Sequence, residues 1–344
     1  TVVDTFFNFN YNPLLNRVLT MAADDSIYVE NKLELTDGRV NTGHFLVHDT
    51  AFLFTTYDDG TADLWFIGSK TSNFIIESAE GNFNKFIRKD SPTDTVFYEP
   101  LSGNNLNIGE PNRDLTIQEG ILSFDLVDTV DLDYGDIIIQ SGAQLQASSG
   151  ETNYQGNWNN QGGLLNANGG SWIWENTSGN RTYATTEVDT FFNFNYNPGA
   201  NRVLTISTND SIYIENKLEM TNGRMNTGHL LVEDTAILYS TYDDGTADLW
   251  FVGSTTSNFL IESAEGNFDK FIRKANSNDT VFFQPLSGTS LNIGRGNRDL
   301  TIQEGVLSLD LVLDADLDYS VINIQSGASL MASPGITRYQ GSWN

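Results

Sequence analysis

Cysteine is absent from the 344 residues, which excludes disulfides, thiolate metal sites and cysteine nucleophiles. Basic residues are scarce, with 18 Lys and Arg against 45 Asp and Glu, and the formal net charge is -27. A surface of this sign repels a phosphate backbone, so we expect no nucleic-acid partner. No apolar run reaches the roughly 18 residues that a membrane-spanning helix needs, so we expect no membrane insertion in this segment.

The residues that are present favour a folded β protein. Hydrophobic residues make up 39% and aromatics 12%, which is enough to bury a core. Asn, Thr, Ser and Gly fill many polar positions, as is typical of β-rich extracellular proteins. We expect the chain to be a segment of a longer secreted protein, located outside the cell at its surface.

An internal repeat is the strongest feature of the sequence. Thr5–Pro13 (TFFNFNYNP) recurs unchanged as Thr190–Pro198, and an offset of 185 leaves 344 − 185 = 159 comparable positions, of which 115 are identical. We divide the chain into repeat unit 1, residues 1–185, and repeat unit 2, residues 186–344, which is incomplete at its C-terminal end. Arrays gain reach and valency by copying a unit, so the repeat favours a structural or adhesive role over an enzyme. A duplicated catalytic domain is the alternative.

Short runs of β-branched and aromatic residues alternate with Gly, Asn and Asp turns, and no window shows a sustained helical period. Such spacing permits a string of β-sandwiches or a parallel β-helix (β-solenoid). Runs such as 26–55 repeat a short strand, a small corner residue and another short strand, which favours the parallel β-helix. A coil of about 22 residues rising about 4.8 Å would give each unit roughly 40 Å of length.

Several passages resemble the repetitive cell-surface proteins of Bacteroidota. They are residues 141–185, LELTDGRVNTG at 33–43, NFNKFIRK at 82–89 and DTVFYEPLSG at 94–103. The resemblance implies a parallel β-helix in an adhesin-like protein that the type IX secretion system exports to the cell surface.

The resemblance also implies O-glycosylation, which in Bacteroidota is common at Asp followed by Ser or Thr and then a small or aliphatic residue. The hydroxyl residues in this pattern are Ser26, Thr50, Thr95, Thr129, Ser211, Thr235 and Thr280. The alternative is that these hydroxyls cap turns beside strands.

Carboxylates are the realistic candidates for metal binding. Acidic side chains surround the same Gly-containing turn in both copies, and they are Asp58, Asp59, Asp63, Asp243, Asp244 and Asp248. Hard carboxylate oxygens suit calcium, although the spacing does not match an EF-hand. The alternative is a solvated turn, and we expect no cofactor to be required.

Chemistry beyond these carboxylates is sparse. Asp131 and Asp133, repeated as Asp316 and Asp318, lie two residues apart and so face the same side of a strand. Paired carboxylates also occur in β-helix proteins that bind or degrade polysaccharides, and such a protein, using the paired Asp and calcium, is the rival function. Histidines are few, and no catalytic motif accompanies them.

The leading hypothesis is a structural repeat module of a large surface adhesin or filament that forms a stiff, extended rod. Its expected partners are further copies of the repeat in the parent chain and other surface filaments or glycans.

Overall fold

The computed structural model describes residues 3–14, 17–58, 60–77, 84–243, 245–262 and 269–344. Over these residues the chain contains strands and no helix, and the strands stack as a β-solenoid of about 15 turns. Neighbouring strands run parallel, unlike the antiparallel sheets of a β-sandwich. The predicted parallel β-helix is therefore confirmed.

The chain divides into two compact units. Unit 1 comprises residues 1–172 and 185–187, and unit 2 comprises residues 173–184 and 188–344. The second copy of the sequence repeat begins at residue 186, so the second compact unit also takes in residues 173–184 from the first copy.

Twenty strands precede residue 186: β1 (Val3–Tyr11), β2 (Val18–Thr20), β3 (Ser26–Leu35), β4 (Arg39–Asn41), β5 (His44–Val47), β6 (Thr50–Leu53), β7 (Asp63–Gly68), β8 (Ser72–Ile76), β9 (Lys85–Lys89), β10 (Thr95–Pro100), β11 (Asn105–Ile108), β12 (Asp114–Ser123), β13 (Thr129–Leu132), β14 (Asp136–Gln140), β15 (Ala143–Gln146), β16 (Glu151–Tyr154), β17 (Asn157–Gln161), β18 (Leu164–Asn166), β19 (Ser171–Trp174) and β20 (Arg181–Thr185).

Eighteen strands follow: β21 (Asp189–Tyr196), β22 (Val203–Ile206), β23 (Ser211–Met220), β24 (Arg224–Asn226), β25 (His229–Val232), β26 (Thr235–Leu238), β27 (Asp248–Phe251), β28 (Ser257–Ile261), β29 (Lys270–Arg273), β30 (Thr280–Pro285), β31 (Ser290–Ile293), β32 (Asp299–Glu304), β33 (Val306–Ser308), β34 (Asp314–Leu317), β35 (Val321–Ile324), β36 (Ser329–Met331), β37 (Ile336–Tyr339) and β38 (Ser342–Trp343).

The fully described coils of the later part of unit 1 have three sides. In one coil β14, β15 and β16 follow each other around the axis, and the chain then enters β17 alongside β14, with Asp136 opposite Asn157. Side A consists of the first half of β3, then β5, β7, β9, the first half of β12, β14 and β17. Side B consists of the second half of β3, then β6, β8, β10, the second half of β12, β15 and β18. Side C includes β11, β13 and β16.

Coil length varies around the predicted value of about 22 residues. The shortest register step on side A joins Ser26 to His44, 18 residues later, and the longest joins Lys85 to Leu115, 30 residues later. The long step from Lys85 to Leu115 contains β10 on side B, β11 on side C and the corners between them.

The core lies along the axis, where alternate strand residues point inward. One inward ladder of side A runs through Phe45, Leu64, Lys85, Leu115, Ile137 and Trp158, none of which is more than 2% exposed. Burying each large apolar side chain contributes about 1.5–3 kcal/mol, so the stack depends on coils covering one another.

Glycine marks corners where two coils approach closely. A Cβ atom at Gly150 would lie 2.2 Å from the carbonyl oxygen of Asp128, and one at Gly335 would lie 2.1 Å from that of Leu313. No other residue type fits this separation, which explains why both copies keep glycine here.

Unit 2 repeats the same plan. His229 pairs with Asp248 in unit 2 as His44 pairs with Asp63 in unit 1. The first half of β23, then β25, β27, β29, β32, β35 and β38, form its side A.

Candidate functional site

Polar side chains open the strands of side A and form a ladder on the outer surface of unit 1. This polar ladder consists of His44, Asp63, Asn84, Asp114, Asp136 and Asn157. The amide Nδ2 of Asn84 donates to Oδ1 of Asp63 at 3.1 Å, and the backbone N–H of Asp114 donates to Oδ1 of Asn84 at 3.1 Å. Nδ2 of Asn157 donates to Oδ1 of Asp136 at 2.8 Å. These bonds tie each coil to the next, in addition to the strand pairing.

Burial and neighbouring carboxylates raise the pKa of acidic side chains in this ladder. Burial raises the pKa of Asp114, and the neighbouring carboxylate of Asp136 raises it further. In unit 2 the ladder contains Asp248, Asp269 and Asp299. Burial raises the pKa of Asp248, although His229, whose Nδ1 lies 3.2 Å from Oδ2 of Asp248, acts in the opposite direction.

Aromatic side chains lie on the outer surface of side A, next to the polar ladder. Tyr28 pairs in register with Leu46, Leu46 with Trp65, and Trp65 with Phe86. The rings of Trp65 and Phe86 stack with centroids 4.2 Å apart and an interplanar angle of 16°. Conserved aromatics in a repeat are usually core residues. Trp158 fits that expectation at 1% exposure, whereas Trp65 points outward and is half-buried.

A groove of about 670 Å³ lies over these outward side chains of unit 1. Its lining includes Tyr28, Leu46, Trp65, His48 and Arg88. Gly68 has a φ of +77°, and a Cβ there would lie 1.9 Å from Cδ2 of His48, so glycine makes room for the His48 ring, which lines the groove and stacks on Tyr28 with centroids 6.4 Å apart. The groove therefore combines aromatic walls with charged groups at its rim.

Arg88 is exposed at this rim, and Arg273 occupies the corresponding position in unit 2. Within the described ranges neither guanidinium forms an ion pair or a side-chain hydrogen bond. Both remain available to an outside acceptor, in a chain whose net charge is -27.

Two lysines per unit face the core, and the sequence reasoning missed them. Lys85 and Lys270 are 0% exposed, and burial lowers the pKa of each to about 7. Nζ of Lys89 donates to the carbonyl oxygen of Ile67 at 2.8 Å and to Oγ of Ser72 at 2.9 Å. The available signal was the strand KFIRK, kept in both copies, in which Lys alternates with Phe and Arg at period 2.

The aspartates expected to bind calcium contact basic side chains of the same chain wherever they are described. Oδ2 of Asp58 lies 3.5 Å from Nη1 of Arg39, and Oδ2 of Asp63 lies 3.2 Å from Nδ1 of His44. Asp243 and Asp248 repeat these pairs with Arg224 and His229. Asp59 and Asp244 lie outside the described residues.

No group of three or more His, Asp or Glu side chains that could hold a metal occurs among the residues described. Calcium binding stays a prediction. Calorimetric titration of the metal-free chain with calcium measures whether the ion binds.

All seven candidate glycosylation residues open a strand, although the strands belong to different sides of the coil. Ser26, Thr50, Thr95, Thr129, Ser211, Thr235 and Thr280 each form the first residue of a strand, and each is half-buried. The preceding Asp forms the corner, where its carbonyl oxygen accepts an N–H from the next coil, as Asp94 does from Ile121 at 2.8 Å. The coil thus gives the pattern a structural role, and glycosylation stays a prediction.

Asp131 and Asp133 both point outward from side C, as their spacing predicts. Asp131 lies in register between Asn107 and Asn153, and Nε2 of Gln155 donates to Oδ1 of Asp133.

The surroundings of this acidic pair differ in unit 2. Asp316 lies in register between Asn292 and Arg338, and with Asp314 it lines a groove of about 380 Å³. The two units therefore repeat the acidic pair and the asparagine on one side of it, whereas Asn153 on the other side is replaced by Arg338.

No protein-family model, curated protein or solved structure matches this chain. None of the described segments is a helix long and apolar enough to cross a membrane. The interpretation of function therefore rests on the chain's own geometry.

Proposed function

We propose that the chain is a structural repeat segment of a large extracellular surface protein, an adhesin or filament, whose stacked coils provide length. The observation that carries this proposal is the different environment of one identical sequence. In β1 the residues of TFFNFNYNP are largely exposed, with Phe6 at 39%, whereas in β21 the equivalent Phe191 is 0% exposed. The sequence is the same, so the difference comes from the coil that covers it.

Residues 173–184 supply that cover within unit 2. The ring centroid of Trp174 lies 6.3 Å from that of Phe194, and the hydroxyl of Tyr183 donates to Oδ2 of Asp189 at 2.6 Å. Among the described residues β1 pairs only with β3, and its outer edge has no such cover. Burial of this sequence therefore depends on a preceding coil.

The last described coil is uncovered in the same way. Trp343 is 56% exposed, whereas Trp158, its equivalent in unit 1, is 1% exposed. The ring centroid of Trp158 lies 5.2 Å from that of Trp172. Each coil therefore gains its burial from the next, which favours long arrays of such units over isolated ones.

The proposed role is structural and involves no catalysis. The proposed partners are further copies of the repeat, other surface filaments or glycans. The sequence resemblance is the basis for proposing a surface location and type IX export in a Bacteroidota cell. Antibody labelling of intact source cells measures the location, and labelling that requires permeabilised cells would contradict it.

Coil stacking is tested by extending the chain. Residues 160–184 are appended after Asn344, where they follow the second copy as they follow the first. We expect the new coil to cover Trp343, so that quenching of Trp343 by iodide decreases and the melting temperature rises.

A matched control carries the same extension with Leu165 and Trp172 replaced by Asp, which puts a charge at two of its inward positions. The control should leave Trp343 as exposed as in the original chain. If the unaltered extension is digested by protease while Trp343 stays fully quenched, the stacking proposal fails.

A further inference from the structure

The outward residues of side A form a slot between two aromatic walls. Tyr28 and Trp65 lie two coils apart, with Leu46 in register between them. Because each coil rises about 4.8 Å, the walls are separated by roughly 9.6 Å at the backbone. Leu46 is shorter than either wall, so it forms the floor of a space wide enough for one flat ring.

Two neighbours hold the Trp65 wall in place. Phe86, one coil further on, stacks on the indole face turned away from the slot at 4.2 Å, and the His44 ring, two residues before Leu46, meets the indole edge-on with centroids 6.1 Å apart and an angle of 80°. His44 is itself held by Asp63, 3.2 Å away. A wall fixed before the ligand arrives loses little conformational entropy on binding.

Unit 2 keeps the same slot. Tyr213, Leu231 and Trp250 follow one another in register, and Phe271 stacks on Trp250 at 4.3 Å with an angle of 15°. The His229 ring meets Trp250 at 6.0 Å and 79°. The arrangement is therefore a repeated feature of the coil.

Polar groups at the rim include both hydrogen-bond donors and acceptors. In unit 1 the groove is lined by the unpaired guanidinium of Arg88 and the exposed carboxylate of Asp90. In unit 2 Arg273 is the unpaired donor, and Glu233, which accepts from the Tyr213 hydroxyl at 2.8 Å, is the acceptor. Sugar hydroxyls both donate and accept, so they require such a mixed rim.

We propose that each slot binds one pyranose ring of an uncharged polysaccharide. The C–H face of the sugar packs against the aromatic walls, while its hydroxyls bond to Arg88 and Asp90 or to Arg273 and Glu233. The net charge of -27 disfavours polyanionic glycans, because a uniformly charged polymer is repelled along its whole length.

Affinity electrophoresis of the intact chain tests this inference. The gels contain uncharged polymers (a β-glucan, a mannan, a galactan and a xylan) or the uronate polymers alginate and polygalacturonate. We expect at least one uncharged polymer to retard the chain and the uronate polymers to leave it unretarded. The inference is overturned if no uncharged polymer retards the chain, or if only the uronate polymers do.

Variants locate the binding. W65A/W250A removes one wall of each slot, R88Q/R273Q removes the rim donor, and L46F/L231F fills the floor at half-buried positions without removing a wall. Each pair should weaken retardation at least tenfold, and the circular dichroism spectrum identifies any pair that fails to fold.

The matched control is W343A, which removes an exposed tryptophan outside the slots and should bind as the unaltered chain does. Retardation that is unchanged in the folded L46F/L231F variant overturns the inference. The coil-extension experiment does not depend on this result, so the structural role and the sugar site can fail separately.

Discussion

Nζ of Lys85 lies 4.9 Å from the ring centroid of Tyr134, inside the coil stack, where both residues are 0% exposed. Lys270 and Tyr319 repeat the relationship in unit 2 at 5.1 Å. On side A the inward neighbours of Lys85 are Leu64 and Leu115. A cation–π contact offsets part of the cost of burying the ammonium group, but an apolar ladder strongly favours the neutral amine.

Stability is therefore expected to rise with pH above neutrality. The folded pKa of Lys85 is about 7 and that of an unperturbed lysine is 10.5, so the unfolded state binds more protons between these values. Each such lysine adds about 1.4 kcal/mol to the free energy of unfolding per pH unit in this window. Urea midpoints at pH 7, 8 and 9 measure the slope.

K85M is the matched variant for this effect. Methionine fills a similar volume without a charge, so the variant is expected to gain roughly 1–4 kcal/mol at pH 7 and to lose part of the pH slope. K70M, at a lysine with an exposed side chain, serves as the control. An unchanged slope in K85M would show that the buried lysine does not titrate in this range.

Phe6 and Phe191 provide a direct measure of coil coverage, since they occupy equivalent positions of one identical sequence. F191A is expected to cost about 3–5 kcal/mol because it leaves a cavity in the core. F6A is expected to cost less than about 1 kcal/mol, since its side chain already meets water. Urea unfolding of both variants gives the comparison, and equal losses would contradict the account of coverage.

Gly150 is expected to tolerate no side chain. In G150A the new Cβ meets the carbonyl oxygen of Asp128 at 2.2 Å, so the coils must separate and local pairing of β13 with β16 should weaken. G142A is the control, because Gly142 has a φ of +88° and open space around it. Hydrogen exchange should show faster exchange in β16 for G150A alone, and similar exchange in both variants would place the cause in backbone strain.

Glycosylation at the seven strand-opening hydroxyls is tested by peptide mass mapping of the protein purified from its source. If the sites are used, peptides that contain them exceed their bare mass by the mass of one glycan. Thr50 and Thr235 are the sites to map first, since within the described ranges each hydroxyl bonds only to the preceding Asp side chain, at 3.0 and 3.1 Å. Peptides that all have their bare mass remove the proposal.

The sequence was sufficient to predict the architecture. The 185-residue offset shows that the chain is built from copies, and short strands between small corner residues favour coils over sandwiches. Asp131 and Asp133 fall on one outward side as their spacing requires. These predictions succeed because strand alternation and corner chemistry are local properties, which neighbouring residues in the chain already fix.

The candidate site was less predictable. Trp65 stands in the apolar run LWFI, residues 64–67, so period 2 alone does not show whether Leu64 or Trp65 points inward. The slot between Tyr28 and Trp65 joins residues 37 positions apart (65 − 28 = 37), and only the register of two coils brings them together.

What the sequence determined by itself is the repeating coil, with its strands, corners and alternation. What only the tertiary structure decided is which side of each strand is covered, and by which coil. Phe6 and Phe191 have the same neighbours in the chain and opposite exposures, 39% and 0%. Lys85 is buried because the register of its strand points the side chain toward the axis, although a lysine side chain is normally exposed to water. Burial in a solenoid comes from the coils above and below, which local sequence does not specify.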